Sequence, residues 1–342
     1  MSTRRCCSPS CRRTETNSTL TIATRLYIAS DLHAAEKAWR KYLNAIRMNV
    51  YKADVALLAG DLTGKAIVPI LQTPSPPTRY ETDLFGVHRT ARSDDELAQL
   101  ERDIADVGYY SFVTTSAEAE RLAGDEPGRD ALLHRLMNER VEAWLALATE
   151  RLADSPVPLY LIPGNDDDFA IDDVLNAPGW RPVNVDGRIV ELPGDLELLA
   201  SGWSNHTPWQ TPREESEDEL YARLDALARQ VRDPRRAVFM IHVPPHDSGL
   251  DTAPILDENL RPTVSAGDVL RGPVGSTAVR RIIEDYQPVL AIHGHIHESG
   301  GERKIGKTLC INPGSEANHG ILRGYLIDIG RKGIELAQRV EG

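Results

Sequence analysis

The chain has 342 residues, 41% of them hydrophobic and 26% charged, with a formal net charge of −12. That length can bury a large core, as one elaborated domain or one domain plus an insertion. No apolar run approaches the ~18 residues a membrane span needs, and the acidic balance argues against a broad nucleic-acid-binding face, so neither a membrane nor a nucleic-acid partner is expected.

Residues 1–22 form a basic, Ser-rich head carrying Arg4, Arg5, Arg12 and Arg13 together with Cys6, Cys7 and Cys11. No apolar stretch follows these arginines, so the head does not read as a secretory signal. It reads as a disordered extension or a misassigned start, with metal binding by the three thiols as the alternative. The fourth cysteine, Cys310, stands alone in an apolar strand, and this usage fits a reducing cytoplasm.

Residues 23–342 read as one domain. A strand over Leu26–Ala29 leads into Ser30-Asp31-Leu32-His33. In extended backbone, side chains two apart point the same way, so Asp31 and His33 could share one metal ion; Asp31 could instead cap the helix that follows. A second buried strand, Val55–Ala59, ends in Gly60-Asp61-Leu62-Thr63. From about residue 65 to 158 the pattern is interrupted. The stretch opens Pro-rich (Pro69, Pro74, Pro76, Pro77), which reads as a loop, and continues with helices near Asp94–Val107 and Asp130–Leu152. The second helix carries an apolar face wide enough to require cover from the main domain or from another subunit. We expect this helical insertion to cap the site and narrow substrate choice, and a homo-oligomer formed through it is one way to cover that face.

A third apolar strand, Leu159–Ile162, ends in Pro163-Gly164-Asn165-Asp166-Asp167-Asp168. Gly187–Leu192 and Leu196–Ala200 flank a Pro-Gly-Asp turn and read as a hairpin. Thr211-Pro212-Arg213-Glu214 has the chemistry of a helix start, with Thr as cap and Pro in the first position. Arg213 could reach a phosphate from there or stand solvated. The fourth strand, Ala237–Ile241, ends in His242-Val243-Pro244-Pro245-His246. A Ser276-capped helix stops at Pro288 before the fifth strand, Val289–Ile292, which ends in His293-Gly294-His295-Ile296-His297. His293 lies within the strand run and reads as core or as support for a ligand. Strands Leu309–Ile311, Leu322–Ile329 and Ile334–Val340 close the chain, with Asn312-Pro313-Gly314-Ser315 as a turn.

Five apolar strands thus each deliver a metal-competent side chain at the C-terminal end, where open α/β sheets place their ligands. Asp31, His33, Asp61, Asn165, His242, His295 and His297 are too many donors for one tetrahedral site. Two adjacent cations sharing a carboxylate would use them all. Imidazole, carboxylate and amide together favour Mn, Fe, Co, Ni or Zn over Ca or Mg.

The order Asp-x-His, Gly-Asp, Gly-Asn, His, Gly-His-x-His resembles the calcineurin-like metallophosphoesterase superfamily over Asp31–His297, and the Gly-Asn-Asp-Asp, His-Val-Pro-Pro and Asn-Pro-Gly-Ser-Glu blocks resemble its uncharacterised prokaryotic predicted phosphoesterases. The resemblance implies an α/β fold, a four-layer α-β-β-α sandwich of the metallophosphoesterase type. It assigns Asp31, His33, Asp61 and His297 to one divalent transition-metal ion, and Asp61, Asn165, His242 and His295 to a second. It implies a phosphoesterase acting on a small phosphorylated substrate, an ester or anhydride, through a metal-bridging hydroxide.

Where many members of that family carry a His after the Asn, this chain has Asp166. Beside two cations that carboxylate should be ionised and a poor general acid, which favours phosphodiesters and activated phosphates unless His246, His206 or His319 supplies the proton. The competing expectation is a metal-stabilised, non-catalytic protein-binding module on the same fold; complete ligand blocks speak for the enzyme. A nuclease is disfavoured by the acidic balance.

Overall fold

The computed structural model describes residues 23–73, 76 and 78–342. The cysteine-bearing head, Pro74 and Pro77 lie outside the described residues.

The apolar runs become the inner strands of two six-stranded sheets. One is ordered Gly333–Glu341, Arg323–Gly330, Thr24–Ala29, Val55–Ala59, Leu159–Ile162, Pro182–Asn184. The other is ordered Gly301–Ile305, Thr308–Asn312, Leu290–Ile292, Ala237–Ile241, Leu196–Ser201, Ile189–Leu192. Thr24–Ala29, Val55–Ala59, Leu159–Ile162 and Pro182–Asn184 are mutually parallel, as are the four strands from Leu196–Ser201 to Thr308–Asn312. Their C-terminal ends therefore reach one edge of each sheet.

The two-residue period of a strand then sorts the side chains. Leu26, Ile28, Leu57, Val238, Met240 and Ile292 fill the space between the sheets. Tyr27, Ala56, Leu58 and Leu159 turn outward against helices Glu36–Arg47 and Glu126–Arg151. Leu199, Phe239, Ala291 and Cys310 turn outward against Glu217–Ala228 and Thr277–Tyr286. The result is the four-layer α-β-β-α sandwich. Strands covered on both faces have no solvent side to carry charge, which is why they read as uninterrupted apolar runs.

The stretch at 65–158 corrects the expectation of a helical insertion. Four strands, Ile67–Gln72, Tyr80–Leu84, Val87–Ala91 and Tyr110–Thr114, form a sheet of their own. With helix Asp94–Asp106 it encloses a small core of Val68, Ile70, Leu84, Ala91, Leu100 and Ile104. Pro69 sits inside the first of these strands. Its carbonyl accepts from the Thr82 hydroxyl at 2.7 Å, and the antiparallel ladder on that side pairs only Leu71 and Gln72, so the missing N–H costs no ladder bond.

The long helix Glu126–Arg151 is not part of the added unit. It crosses between the parallel strands Val55–Ala59 and Leu159–Ile162 and covers the first sheet. Trp144 stacks on Trp39 with centroids 4.9 Å apart and donates from Nε1 to Glu36 at 2.6 Å. The apolar face that suggested a second subunit is thus covered by the chain's own helix Glu36–Arg47 and sheet. A second correction falls on the helix expected at Thr211. It begins at Glu217, with Ser216 as cap and Glu219 completing the capping box. Among the described residues no helix is long and apolar enough to cross a membrane.

Candidate metal centre

The loops after the five parallel strands converge at the sheet edge, though not as extended segments. Asp31, His33, Asp61 and His295 have φ of 55°, 44°, 51° and 65°, in the left-handed region that costs a side-chain-bearing residue about 1–3 kcal/mol. The reading of Asp31 and His33 as alternate positions of an extended chain is therefore replaced by sharp turns. Backbone bonds from Asp31 to Gly60, His33 to Asp61 and Ala34 to Leu62, at 3.0, 3.0 and 2.7 Å, keep the first two loops paired through those turns.

Close approach explains the block glycines. A Cβ on Gly164 would lie 2.1 Å from Asp61 Oδ1, and one on Gly294 would lie 2.0 Å from Ser30 Oγ and 2.3 Å from Asp31 Oδ2. No other residue lets these loops close on the carboxylates.

The donor atoms fall into two groups that share Asp61: Asp31, His33, Asp61 and His297, and Asp61, His242 and His295, each group with one donor atom per residue within 4.8 Å of the others. Asp61 faces both groups, with Oδ2 3.6 Å from His33 Nε2 and Oδ1 3.3 Å from His242 Nε2. His297 Nε2 stands 3.5 Å from Asp31 Oδ1 and 2.9 Å from His33 Nε2. Asn165 joins the second group, its Oδ1 3.1 Å from His242 Nε2, while its amide donates to Thr211 at 2.8 Å and to Asp166 at 3.0 Å. All seven expected ligands are thus brought together.

The surroundings aim these atoms inward. His242 Nδ1 lies 2.7 Å from the Ala59 carbonyl and His33 Nδ1 3.3 Å from that of Thr63, which leaves each Nε2 lone pair for the centre. The His295 backbone donates to Asp31 Oδ1 at 2.8 Å, and Ser315 donates to the Asp31 carbonyl at 2.6 Å.

The charges are mutually dependent. Burial alone would raise the Asp61 carboxyl, but His242 and then His33 and His295 hold it well below the usual carboxylate range. Asp31 is likewise lowered, His297 and His242 outweighing burial. Among the protein's own groups, burial opposes a proton on His242, yet Asp61 and Asp31 carry its imidazole up to about 10, so a cation would take the place of that proton at Nε2. Burial, reinforced by His242, pushes His295 down to about 4.

Whether a cation suits these residues can be judged from one atom. Asp31 Oδ2 is buried and has no hydrogen-bond partner, a state that costs about 1–3 kcal/mol or more for a charged group unless a ligand takes it. Opposed imidazole nitrogens 2.9 Å apart beside two buried carboxylates supply the donor set of a transition-metal site.

Other expected site residues fall elsewhere. Arg213 is 3% exposed and engaged on this side: Nε donates to the Asp167 carbonyl at 2.9 Å, Nη2 pairs with Asp172 at 2.5 Å, and the guanidinium lies over Phe169 at 4.5 Å. It holds the Asn165–Asp172 loop from behind, and the contacts it makes there are to Asp167, Asp168, Asp172 and Phe169 rather than to the donor cluster. Among the described residues no hydrogen bond or ion pair links His246 to the cluster; its ring is 4.0 Å from Asp251 and its backbone is tied to Ser276. His206 lies 3.8 Å from Glu214, and His319 is exposed. His293 is buried, its Nδ1 2.9 Å and 3.0 Å from the carbonyls of Ile241 and Val243, a structural role.

Asp166 does border the site. Its backbone N–H donates to Asp61 Oδ1 at 3.1 Å. Among the protein's own groups, burial and then Asp61 push its carboxyl up, against Lys65 and His33, whereas the expectation of an ionised carboxylate rested on the field of bound cations.

Two neighbours to which the sequence assigned no role also border the centre. Asp167 is fully buried and accepts from the Leu62, Thr63 and Gly164 backbones and the Thr63 hydroxyl at 2.9, 2.8, 2.8 and 2.7 Å. Lys65 Nζ is 2.6 Å from Asp166 Oδ1. The signal for both was a carboxylate run after Gly-Asn and a single cation closing the Gly-Asp loop.

Comparison with known proteins bears on the whole arrangement. Residues 122–299 match the family model for calcineurin-like phosphoesterase. That stretch takes in Asn165, His242, His295 and His297; Asp31 and Asp61 precede it and complete the same cluster. The uncharacterised protein MJ1162 of Methanocaldococcus jannaschii is 30% identical over 169 residues, 48% of this chain and 68% of its own. The crystal structure of TT1561 of Thermus thermophilus aligns with a TM-score of 0.51 at 14% identity, covering 93% of this chain and 98% of that one, a likeness of fold.

Proposed function

This chain belongs to the calcineurin-like phosphoesterase family, and from that premise we propose that it is a dinuclear metal-dependent phosphoesterase, hydrolysing a small phosphate ester or anhydride. The observation that carries the reading is the division of the donors into two groups sharing Asp61. Asp31, His33, Asp61 and His297 would hold one cation, and Asp61, Asn165, His242 and His295 the other. When bound, two divalent transition-metal ions lower the pKa of a water and neutralise phosphoryl oxygens.

The chain's own residues do the rest. The carbonyls of Ala59 and Thr63 set the tautomers of His242 and His33, and the left-handed turns fix where the carboxylates point. No imidazole follows Asn165, and His246 makes no bond to the cluster. Leaving groups that depart without a proton, those of phosphodiesters, anhydrides and activated monoesters, should therefore turn over best.

Metal analysis of the purified protein should give about two transition-metal ions per chain, the number the two donor groups imply. A panel of mono-, di- and pyrophosphate compounds should show turnover that a chelator abolishes and manganese, iron, cobalt, nickel or zinc restores. Protein that binds metal yet hydrolyses none of the panel would turn the reading toward a binding module.

The added sheet is the specificity element in this reading. Tyr110 accepts at its hydroxyl from the Gly64 backbone at 3.0 Å, and a Cβ on Gly108 would lie 2.2 Å from the His33 carbonyl, so the unit is anchored beside a ligand. Replacing residues 67–114 with a short linker should broaden the substrate profile while metal content is kept; an unchanged profile would remove this role.

A further inference from the structure

The ion pair between Lys65 and Asp166 stands at the rim of the candidate metal centre, and its geometry is not that of an ordinary surface pair. Asp166 is anchored from two sides: its backbone N–H donates to Asp61 Oδ1 at 3.1 Å, and its Oδ1 accepts from Asn165 Nδ2 at 3.0 Å. The same Oδ1 receives the Lys65 ammonium at 2.6 Å. A carboxylate so placed next to the shared ligand should oppose an arriving phosphate by like-charge repulsion.

The ammonium removes that obstacle and has capacity left over. It carries three donors, of which Asp166 takes one. Its side chain is 52% exposed whereas that of Asp166 is 18% exposed, so the cation lies on the solvent side, where a substrate enters. Its stem leaves the loop that delivers Asp61, four residues after that ligand and two before the first strand of the added sheet. A flexible lysine is thereby held over the opening at both ends.

We propose that Lys65 is a substrate-binding residue, its ammonium donating to a non-bridging oxygen of the substrate's phosphate, and that Asp166 is the positioning residue that holds it there. The assignment rests on the phosphoesterase reading above. It gives Asp166 a purpose that does not require it to transfer a proton, and it supplies the site with a cation from the chain itself.

Binding of inorganic phosphate to the manganese-loaded protein, followed by titration calorimetry, tests this apart from turnover. K65M should bind phosphate about tenfold more weakly, equivalent to losing one charge-assisted hydrogen bond, and should raise KM for the best panel substrate by a similar factor with kcat changed less. K65R should recover most of the affinity. The double variant K65M/D166N decides between touching the phosphate and merely neutralising Asp166: it should stay as weak as K65M, and recovery to the wild-type affinity would overturn the proposal. So would K65M binding phosphate as tightly as the wild type. Wild-type protein that takes up neither manganese nor phosphate would overturn the phosphoesterase reading itself, and this inference with it. Metal content equal in all variants separates a lost phosphate contact from a damaged centre.

Discussion

Asp61→Asn is expected to lower turnover by about three orders of magnitude and to reduce bound metal from two equivalents to about one, the rate loss corresponding to the several kcal/mol a cation pair supplies at ~1.4 kcal/mol per tenfold. The argument is atomic. Oδ1 of Asp61 accepts from the Asp166 backbone at 3.1 Å and faces His242 at 3.3 Å, whereas Oδ2 faces His33 at 3.6 Å. In the asparagine variant the amide must keep its oxygen toward the Asp166 N–H, because a donor cannot face a donor. Its NH2 group then points at His33 and cannot ligate a cation. The group of Asp31, His33 and His297 loses a ligand and a charge, while the group of His242, His295 and Asn165 keeps its oxygen and loses only the charge. Atomic-emission analysis of the variant beside the wild type checks the count. Two equivalents retained with full activity would show that Asp61 is not shared.

How much of this was legible in the sequence depended on which force set each feature. The central strands could be read because burial on both faces forbids charge, and Val55–Ala59, Leu159–Ile162 and Ala237–Ile241 have the bounds that the apolar runs gave. The ligands could be read because metal chemistry restricts residue type at strand ends. The backbone between them could not: nothing in Ser30-Asp31-Leu32-His33 announces the departures to positive φ at Asp31, His33 and Ala34, because that conformation is imposed by pairing with the loop after Val55–Ala59. The added sheet was missed because prolines near its first strand read as loop although Pro69 is tolerated inside Ile67–Gln72, and because Val87–Ala91, exposed at four of five positions, offers no apolar run. Arg213 was misjudged for the opposite reason. Charge suggests solvent, yet Asp172 and the Asp167 carbonyl lie within reach only after folding.

Asp167 shows how far a residue without ligand chemistry can govern the centre. One carboxylate ties the loop after Val55–Ala59, through the Leu62 and Thr63 backbones, to the loop after Leu159–Ile162, through Gly164. Those loops carry Asp61 and Asn165, the ligand common to both groups and the amide of the second. Asp167→Ala would leave three backbone donors buried and unpartnered, about 1–3 kcal/mol each before relaxation, so we expect a net loss of about 3–5 kcal/mol and a fall in the melting temperature of roughly 4–7 °C. Asp167→Asn should be milder, because its oxygen can serve some of the donors while its NH2 is forced against the rest.

Stability alone would not distinguish this residue from any buried carboxylate. The distinguishing readout is metal affinity at a temperature where both variants remain folded. Because Leu62 follows Asp61 directly and Gly164 precedes Asn165, releasing the tie frees both ligands from their turns, and positions strained by about 1–3 kcal/mol relax when their restraint goes. Second-sphere losses of this kind weaken metal binding by about 10–100-fold, and the expected result for Asp167→Ala is in that range, read by competition with a chromogenic chelator. A variant that melts early yet binds metal like the wild type would assign Asp167 to the fold and leave the turns at Asp61 to be held by Gly164 and the paired loops alone.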